Sequence, residues 1–238
     1  MTNGPTKRDV MTTGTAAALL SAAALSGIPE TAKAQVPPPL GFKPLRKAND
    51  KEMSYRFAAY RPKATTFGAA VVEYAQAGLG KGEIGGDNAG ELIDWLTQTP
   101  PHVTPAWCAA FVCYAYLGAS YGLQRVPPWQ TWRYGPDGGI DPELWVPTLA
   151  DNAYKAGAWV LGPDLEVRSR IIPGSVMFVP GGPGGPRYLH VGIVESVSGN
   201  TAICIEGNTG AKSNPAGLDM VTRITRSLNA CDFGVAIN

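Results

Sequence analysis

The chain has little charge, and neither sign is in clear excess. Only 16% of its 238 residues are charged, with 20 lysines and arginines against 19 aspartates and glutamates. If residues 1–34 are an export signal and are removed, 17 basic and 17 acidic residues remain. A neutral chain lacks the basic surface that nucleic acids and anionic membranes require, so neither is expected as the main partner.

Cysteine is also scarce, and its positions fit no metal-binding or redox motif. Cys108, Cys113, Cys204 and Cys231 are separated by 5, 91 and 27 positions. Zinc ribbons and C-x-x-C redox sites need closely paired cysteines. An exported chain could use its four cysteines in two disulfides, or in one disulfide with a free thiol kept, and the spacing alone does not choose between them.

No apolar run is long enough to suggest a retained membrane span. The stretch TTGTAAALLSAAALSGI is rich in alanine and short. It follows Lys7 and Arg8 and precedes Ala32-Lys33-Ala34, a small-x-small cleavage pattern, so residues 1–34 are predicted to be an export signal. TKRDVM resembles a twin-arginine motif in which Lys7 replaces the first arginine. We therefore expect an exported protein, located in the periplasm or outside the cell.

Glycine and proline, by contrast, are plentiful. Their numbers, 29 and 21, predict many turns and substantial β structure. Residues 35–64 are rich in proline and charge and show no periodicity, so they are predicted to form a linker or a surface arm. Residues 65–238 are enough for one sizeable domain.

The order of patterns within that domain predicts an α+β fold. Helical patterns come first, in TTFGAAVVEYAQAGL, in ELIDWL and, after a tryptophan-rich packed loop at 123–145, in PTLADNAYKAG. Strand patterns follow in SVMFV, HVGIVESV, TAICIEGN, DMVTRITRSL and CDFGVAIN. Helices followed by strands are typical of helices packed on an antiparallel sheet.

The segment TPAWCAAFVCYAYL is predicted to be a buried helix that carries a cysteine in its first turn. Thr104 is a good N-cap, and Pro105 suits the first helical position. The helix is expected to run to about Leu117 with no polar face. The helix dipole and the free amides of the first turn favour the thiolate of Cys108. Taken alone, however, a cysteine in an apolar helix is more often a small core residue.

A nucleophilic cysteine needs a base, and the chain offers only His102 and His190. His102 lies in a proline-rich loop, where a solvated side chain is the simpler interpretation. His190 opens a strand, and the next strand carries Glu206 and Asn208 on one face.

The turn between these two strands decides whether the polar residues meet. A three-residue turn, Ser198-Gly199-Asn200, would place His190 opposite Asn208 and Gly192 opposite Glu206. Both polar side chains would then be within reach of the imidazole. A two-residue turn would shift the register by one and direct them away.

Four segments in this order and spacing resemble the CHAP family, a group of papain-like amidohydrolases and peptidases that cut bacterial peptidoglycan. They are PAWCAAFV, PGSVMFV, HVGIVESV and IEGN, and the resemblance covers roughly residues 66–238. It implies a papain-like fold, with N-terminal helices packed on an antiparallel sheet or half-barrel. It also implies hydrolysis of an amide in the peptide part of peptidoglycan, without a metal or organic cofactor.

The resemblance also assigns roles to residues of this chain. Cys108 would be the nucleophile, His190 the general base and Glu206 the residue that orients His190, with Asn208 as an alternative or additional orienter. In an oxidising compartment we expect Cys108 to stay unpaired. Cys113 points to another side of the helix and is predicted to be a core residue or part of a disulfide.

The substrate groove is less well defined by the sequence. Its candidate residues are aromatic: Trp107, Trp129, Trp132 and Tyr188, with Trp145 in the same tryptophan-rich segment as two of them. Packing of that segment against the core is an equally good interpretation. Two further hypotheses on function are a catalytically weak wall-binding module and a cysteine protease or acyltransferase on the same fold. The sequence does not separate amidase from endopeptidase activity.

Overall fold

The computed structural model describes residues 62–97, 106–123, 125, 127–134, 140–210 and 216–236. The predicted export signal and nearly all of the predicted linker lie outside these ranges, as do His102, Thr104 and Pro105. None of the helices within the described ranges has the length and apolar character needed to cross a membrane.

The described residues form four α-helices, and the three predicted helices besides the cysteine helix are confirmed. Gly80 and Gly157, with φ of 74° and 69°, follow two of them in the left-handed conformation that helix C-termini favour. The helices are α1 Phe67–Ala77, α2 Glu91–Thr97, α3 Cys108–Leu123 and α4 Val146–Lys155.

Helix α3 differs from its predicted bounds at both ends. It begins at Cys108 and not at Pro105, and it continues past Leu117 to Leu123. Gly118 lies inside the helix, at a position where Tyr74 of α1 packs against it. A Cβ atom there would lie 2.5 Å from Cε1 of Tyr74. The glycine therefore serves close packing between helices.

The strands form a six-stranded antiparallel sheet and a separate two-stranded one. The order in the larger sheet is β3-β8-β4-β5-β6-β7. The α+β class is thus confirmed. Strands β1 and β2 lie in the stretch 123–145 that the sequence predicted as a packed loop, and β3 lies where no element was predicted, because three residues are too few to show alternation. The strands are β1 Trp132–Tyr134, β2 Ile140–Pro142, β3 Trp159–Leu161, β4 Val176–Pro180, β5 Tyr188–Ser198, β6 Thr201–Thr209, β7 Met220–Ser227 and β8 Asp232–Gly234.

Helix α3 is the centre of the core. Every residue from Cys108 to Leu117 is buried, as its apolar pattern predicted. The helix packs against α1 and against strands β5 and β6. Burial on all sides fixes the direction of the helix axis, so the position of Cys108 relative to the sheet is fixed as well.

The predicted three-residue turn between β5 and β6 is wrong. The chain reverses on two residues, Gly199 and Asn200, and Ser198 pairs with Thr201. Gly199 has a φ of 56°, which suits the first central position of a tight hairpin turn.

A β-bulge at Glu195 restores the predicted register beyond the turn. The pairing shifts between Val194 and Ser196, and Val194 then pairs with Cys204. From this point towards His190 the register is the one that the three-residue turn predicted. The Glu195 carboxylate accepts hydrogen bonds from Gln76 at 2.7 Å and from Arg223 at 2.7 and 2.8 Å.

Candidate active site

Cys108 is the first residue of helix α3. The carbonyl of Trp107 accepts the first intrahelical hydrogen bond, from the N–H of Phe111 at 3.0 Å. The N–H groups of residues 108–110 therefore have no helical acceptor and point out of the helix start. Together with the helix dipole, they favour negative charge on an oxygen bound beside the Cys108 sulfur.

Two side chains fix the residue that precedes Cys108. The N–H of Trp107 donates to Oδ1 of Asn208 at 2.6 Å, and its indole N–H donates to Oε1 of Glu83 at 3.1 Å. Glu83 is itself buried and accepts further bonds from the N–H groups of Asn88 and Asp219. The start of α3 is thereby tied to the loop before α2 and to the start of β7.

Asn208 thus has a different place from the one the sequence predicted. Its Oδ1 accepts from Trp107, and its Nδ2 donates to Oδ2 of Asp219 at 3.1 Å. The backbone is the reason, because Asn208 adopts a left-handed φ of 58° within a shift of register between Glu206 and Thr209. The side chain turns toward α3, so we no longer expect it to orient the imidazole.

His190 and Glu206 come together as the sequence predicted. Nε2 of His190 lies 2.9 Å from Oε2 of Glu206. Cys108 interacts with the same imidazole, and this interaction raises the pKa of His190. Since Nε2 is engaged by Glu206, Nδ1 is the ring nitrogen left for Cys108. The His190 side chain is 19% exposed, whereas that of Glu206 is fully buried.

Glu206 also binds a residue that the sequence reasoning did not include. Arg226 donates from Nε to Oε1 of Glu206 at 2.8 Å and from Nη2 to Oε2 at 2.6 Å. Burial raises the pKa of Glu206, but the hydrogen bonds from Arg226 and His190 lower it more, and the net pKa lies below its ordinary value. Glu206 is therefore a buried carboxylate anion with two donors.

The protonation of His190 follows from its partners. Burial lowers the pKa of His190, but the hydrogen bonds to Cys108 and Glu206, with their charges, raise it more, to about 9. The ring therefore carries a proton at neutral pH. An imidazolium beside a thiol at a helix start is the arrangement that stabilises a thiolate.

Comparison with known proteins gives a match to one family. Residues 100–208 match the model of the CHAP domain family. This segment, a little under half of the chain, is similar to the CHAP domain. CHAP is a family of papain-like cysteine- and histidine-dependent amidohydrolases, so the domain supports hydrolase activity of the amidase or peptidase type. No curated protein and no solved structure matches the chain.

Most of the aromatic residues predicted to bind substrate are buried. Trp107 is 0% exposed, and Trp129 and Tyr188 are each 3% exposed. These three large side chains pack in the core, so their prediction as substrate-binding residues is corrected. Trp132 is partly exposed on β1 and Trp145 is exposed before α4, so they stay predictions.

The four cysteines of the chain all lie in the described ranges and are unpaired and buried, so none of the disulfides considered from the sequence is present. The Cys113 thiol donates to the carbonyl oxygen of Glu143 at 3.3 Å, which makes Cys113 a core residue. Burial raises the pKa of the Cys113 and Cys204 thiols, and that of Cys231 to about 11. Within the described ranges, no three His, Cys, Asp or Glu side chains are grouped as metal ligands.

Glu83 and Arg226 are the contributors to this site that sequence reasoning missed. Glu83 lies in the segment GEIGGDNAG, which the sequence shows only as a turn-rich stretch. Arg226 lies on β7, opposite Ala202. Its position on the face of Glu206 could be found only by knowing the register of a third strand, which a long connection separates from β6.

Gly192 gives a direct test of the geometry around Glu206. A Cβ atom at Gly192 would lie 2.5 Å from Cγ of Glu206 and 3.2 Å from the carbonyl oxygen of Ile205. Gly192→Ala should therefore displace the carboxylate from His190. We expect kcat/KM to fall by about 10- to 100-fold, as small misplacements of catalytic groups do.

The matched control for this variant is Gly182→Ala, where an added Cβ meets nothing within 4 Å. Activity would be assayed on peptidoglycan alongside thermal unfolding, to separate misplacement from loss of fold. Wild-type activity in Gly192→Ala would show that Glu206 does not need its observed position.

Proposed function

We propose that this chain is an exported peptidoglycan hydrolase that cleaves an amide bond in the peptide part of its substrate through a cysteine acyl-enzyme. The observation that carries the proposal is the line of contacts from Cys108 through His190 to Glu206 within a CHAP domain. A nucleophile, a base and a group that orients the base are the parts that thiol acyl transfer requires.

In the first half of the proposed reaction, the thiolate of Cys108 attacks the carbonyl carbon of the scissile amide. The oxygen then carries the negative charge and lies near the free N–H groups at the start of α3, which stabilise it. As the C–N bond breaks, the His190 imidazolium gives its Nδ1 proton to the leaving amine. The products of this half are a free amine and a thioester on Cys108.

In the second half, neutral His190 takes a proton from a water molecule that attacks the thioester carbonyl. The C–S bond breaks, the carboxylic acid is released and Cys108 returns as a thiolate beside the imidazolium. Glu206 stays ionised throughout, because it accepts the Nε2–H of His190 and two bonds from Arg226. Its charge offsets the cation that His190 carries in the resting state.

Two further features support peptidoglycan as the substrate and export as the route to it. The CHAP domain suggests activity like that of peptidoglycan hydrolases. The pattern of residues 1–34 predicts export, which would bring the enzyme to a substrate that lies outside the inner membrane.

The proposal is tested by digesting purified peptidoglycan with the wild-type chain and identifying the fragments by mass spectrometry. We expect soluble fragments, each with one new amine and one new carboxyl group. Cleavage next to the sugar would define an amidase, and cleavage within the peptide an endopeptidase. A folded chain that binds the wall but releases nothing would overturn hydrolysis and leave the wall-binding hypothesis.

A further inference from the structure

We propose that Arg226 is a positioning residue of this active site, which keeps the Glu206 carboxylate ionised and directed at His190. The inference rests on the proposed function, since it assigns a role within the same machinery. Arg226 lies beyond residues 100–208, the segment that matches the CHAP family. The role is therefore drawn from the contacts of this chain alone.

The contacts leave Glu206 little freedom. Arg226 binds both carboxylate oxygens, at 2.8 Å and 2.6 Å, while His190 shares Oε2 at 2.9 Å. A planar guanidinium that binds both oxygens fixes the plane of the carboxylate as well as its distance. The orientation of the imidazole, and with it the approach of Nδ1 to Cys108, then depends on Arg226.

The charge of Arg226 matters as much as its shape. The Glu206 side chain is 0% exposed, and burial raises its pKa; without Arg226 only His190 would oppose this effect, and the carboxyl group would take up a proton more readily. A neutral Glu206 would no longer support the imidazolium form of His190, and the thiolate of Cys108 would lose its counterion. Arg226 thus acts on the nucleophile through two other residues.

The other titratable groups around Glu206 do not replace this cation. Cys204 and Cys231 both interact with Glu206 electrostatically, from β6 and from the start of β8. Burial raises the pKa of both thiols, so they are neutral at physiological pH. The cations that face the carboxylate in the described structure are therefore Arg226 on β7 and His190 on β5.

The chain offers a matched control three residues away on the same strand. Arg223 also binds one glutamate through two hydrogen bonds, to Glu195 at 2.7 and 2.8 Å. Its side chain is 50% exposed, and its partner lies in the bulge, away from Cys108. Removing Arg223 therefore takes away a similar ion pair without touching the Cys108–His190–Glu206 line.

The test follows alkylation of Cys108 by iodoacetamide across pH, because this reaction reports the thiolate and needs no substrate. The alkylation rate rises with pH as Cys108 ionises, and this rise is the acid limb of the profile. For Arg226→Met we expect the acid limb to lie about one to two pH units higher than in the wild type. The rate at pH 6 should fall by about 10-fold or more, and kcat on peptidoglycan should fall while KM stays within about twofold. Arg223→Met should match the wild type in every one of these measurements.

Arg226→Lys separates charge from shape and covers the case in which Arg226→Met does not fold. Lysine keeps the positive charge but cannot bind both oxygens in one plane. We expect a wild-type acid limb with kcat lowered by about 3- to 10-fold. Wild-type kcat in Arg226→Lys, or a wild-type acid limb in folded Arg226→Met, would overturn the positioning role.

The same measurements distinguish a failure of the proposed function from a failure of the role proposed for Arg226. If Cys108 of the wild type reacted no faster than the three other buried thiols, the nucleophile itself would be refuted, and the role of Arg226 with it. If Cys108 reacted fast but peptidoglycan stayed intact, only the substrate would be wrong. The alkylation profiles of the Arg226 variants would still decide the inference.

Discussion

Replacing Cys108 with alanine should abolish amide hydrolysis, with kcat reduced on the order of 10⁴-fold or more. Without the sulfur no acyl-enzyme can form, and His190 has no nucleophile to serve. The fold should survive, because Cys108 is already packed in the core and alanine removes a single buried atom, at a cost of about 1 kcal/mol. Initial rates on peptidoglycan and the midpoint of thermal unfolding measure the two effects.

Cys113→Ala is the control for that variant. Cys113 lies in the same helix, is fully buried and loses a comparable atom, together with one hydrogen bond to the Glu143 carbonyl. Its activity should stay within about twofold of the wild type, while its stability should fall by about 1 kcal/mol. Equal losses of activity in both variants would mean that packing of the helix, and not the Cys108 thiol, carries the effect.

Replacing Glu206 with glutamine should lower kcat by about 10²- to 10⁴-fold, since the imidazole loses the group that orients it. It should also cost stability. Removing one partner of a buried ion pair costs about 3–5 kcal/mol, and we expect the lower end of that range because Arg226 retains 28% exposure of its side chain. Chemical unfolding of the two proteins at pH 7 measures the difference.

The pH profile gives Glu206→Gln a second signature. In the wild type, His190 has a raised pKa of about 9, so the stability and activity that depend on its cation are present at neutral pH and are lost as pH rises through 9. Glu206 is one of the groups that raise this pKa, so its loss should move the alkaline limb to lower pH. An alkaline limb that stays in place would show that Glu206 does not set the protonation of His190.

The residues of the candidate site could be predicted because the chain offers few candidates for each role. A chain with two histidines, one of them at the start of a strand, leaves little choice of base. The position of Cys108 at a helix start followed from local patterns, although the helix begins three residues later than its cap predicted. Glu206 was placed by alternation along a single strand, which is a local property.

The remaining features depend on tertiary geometry that local patterns do not record. The role of Arg226 depends on the register between β6 and β7. The turn of Asn208 away from the imidazole depends on a single left-handed residue. The predicted turn was wrong, and the register beside His190 agreed with it only because an extra residue, Glu195, lies further along the strand.

The extra residue Glu195 affects how the hairpin of β5 and β6 can vary in length. The part of β5 between the bulge and the tip contains only Ser196, Val197 and Ser198, and no group of the site lies there. A change of length within these three residues therefore lies on the far side of the bulge from the imidazole. The β5 side of the tip can diverge, while the half of the strand that carries His190 keeps its phase.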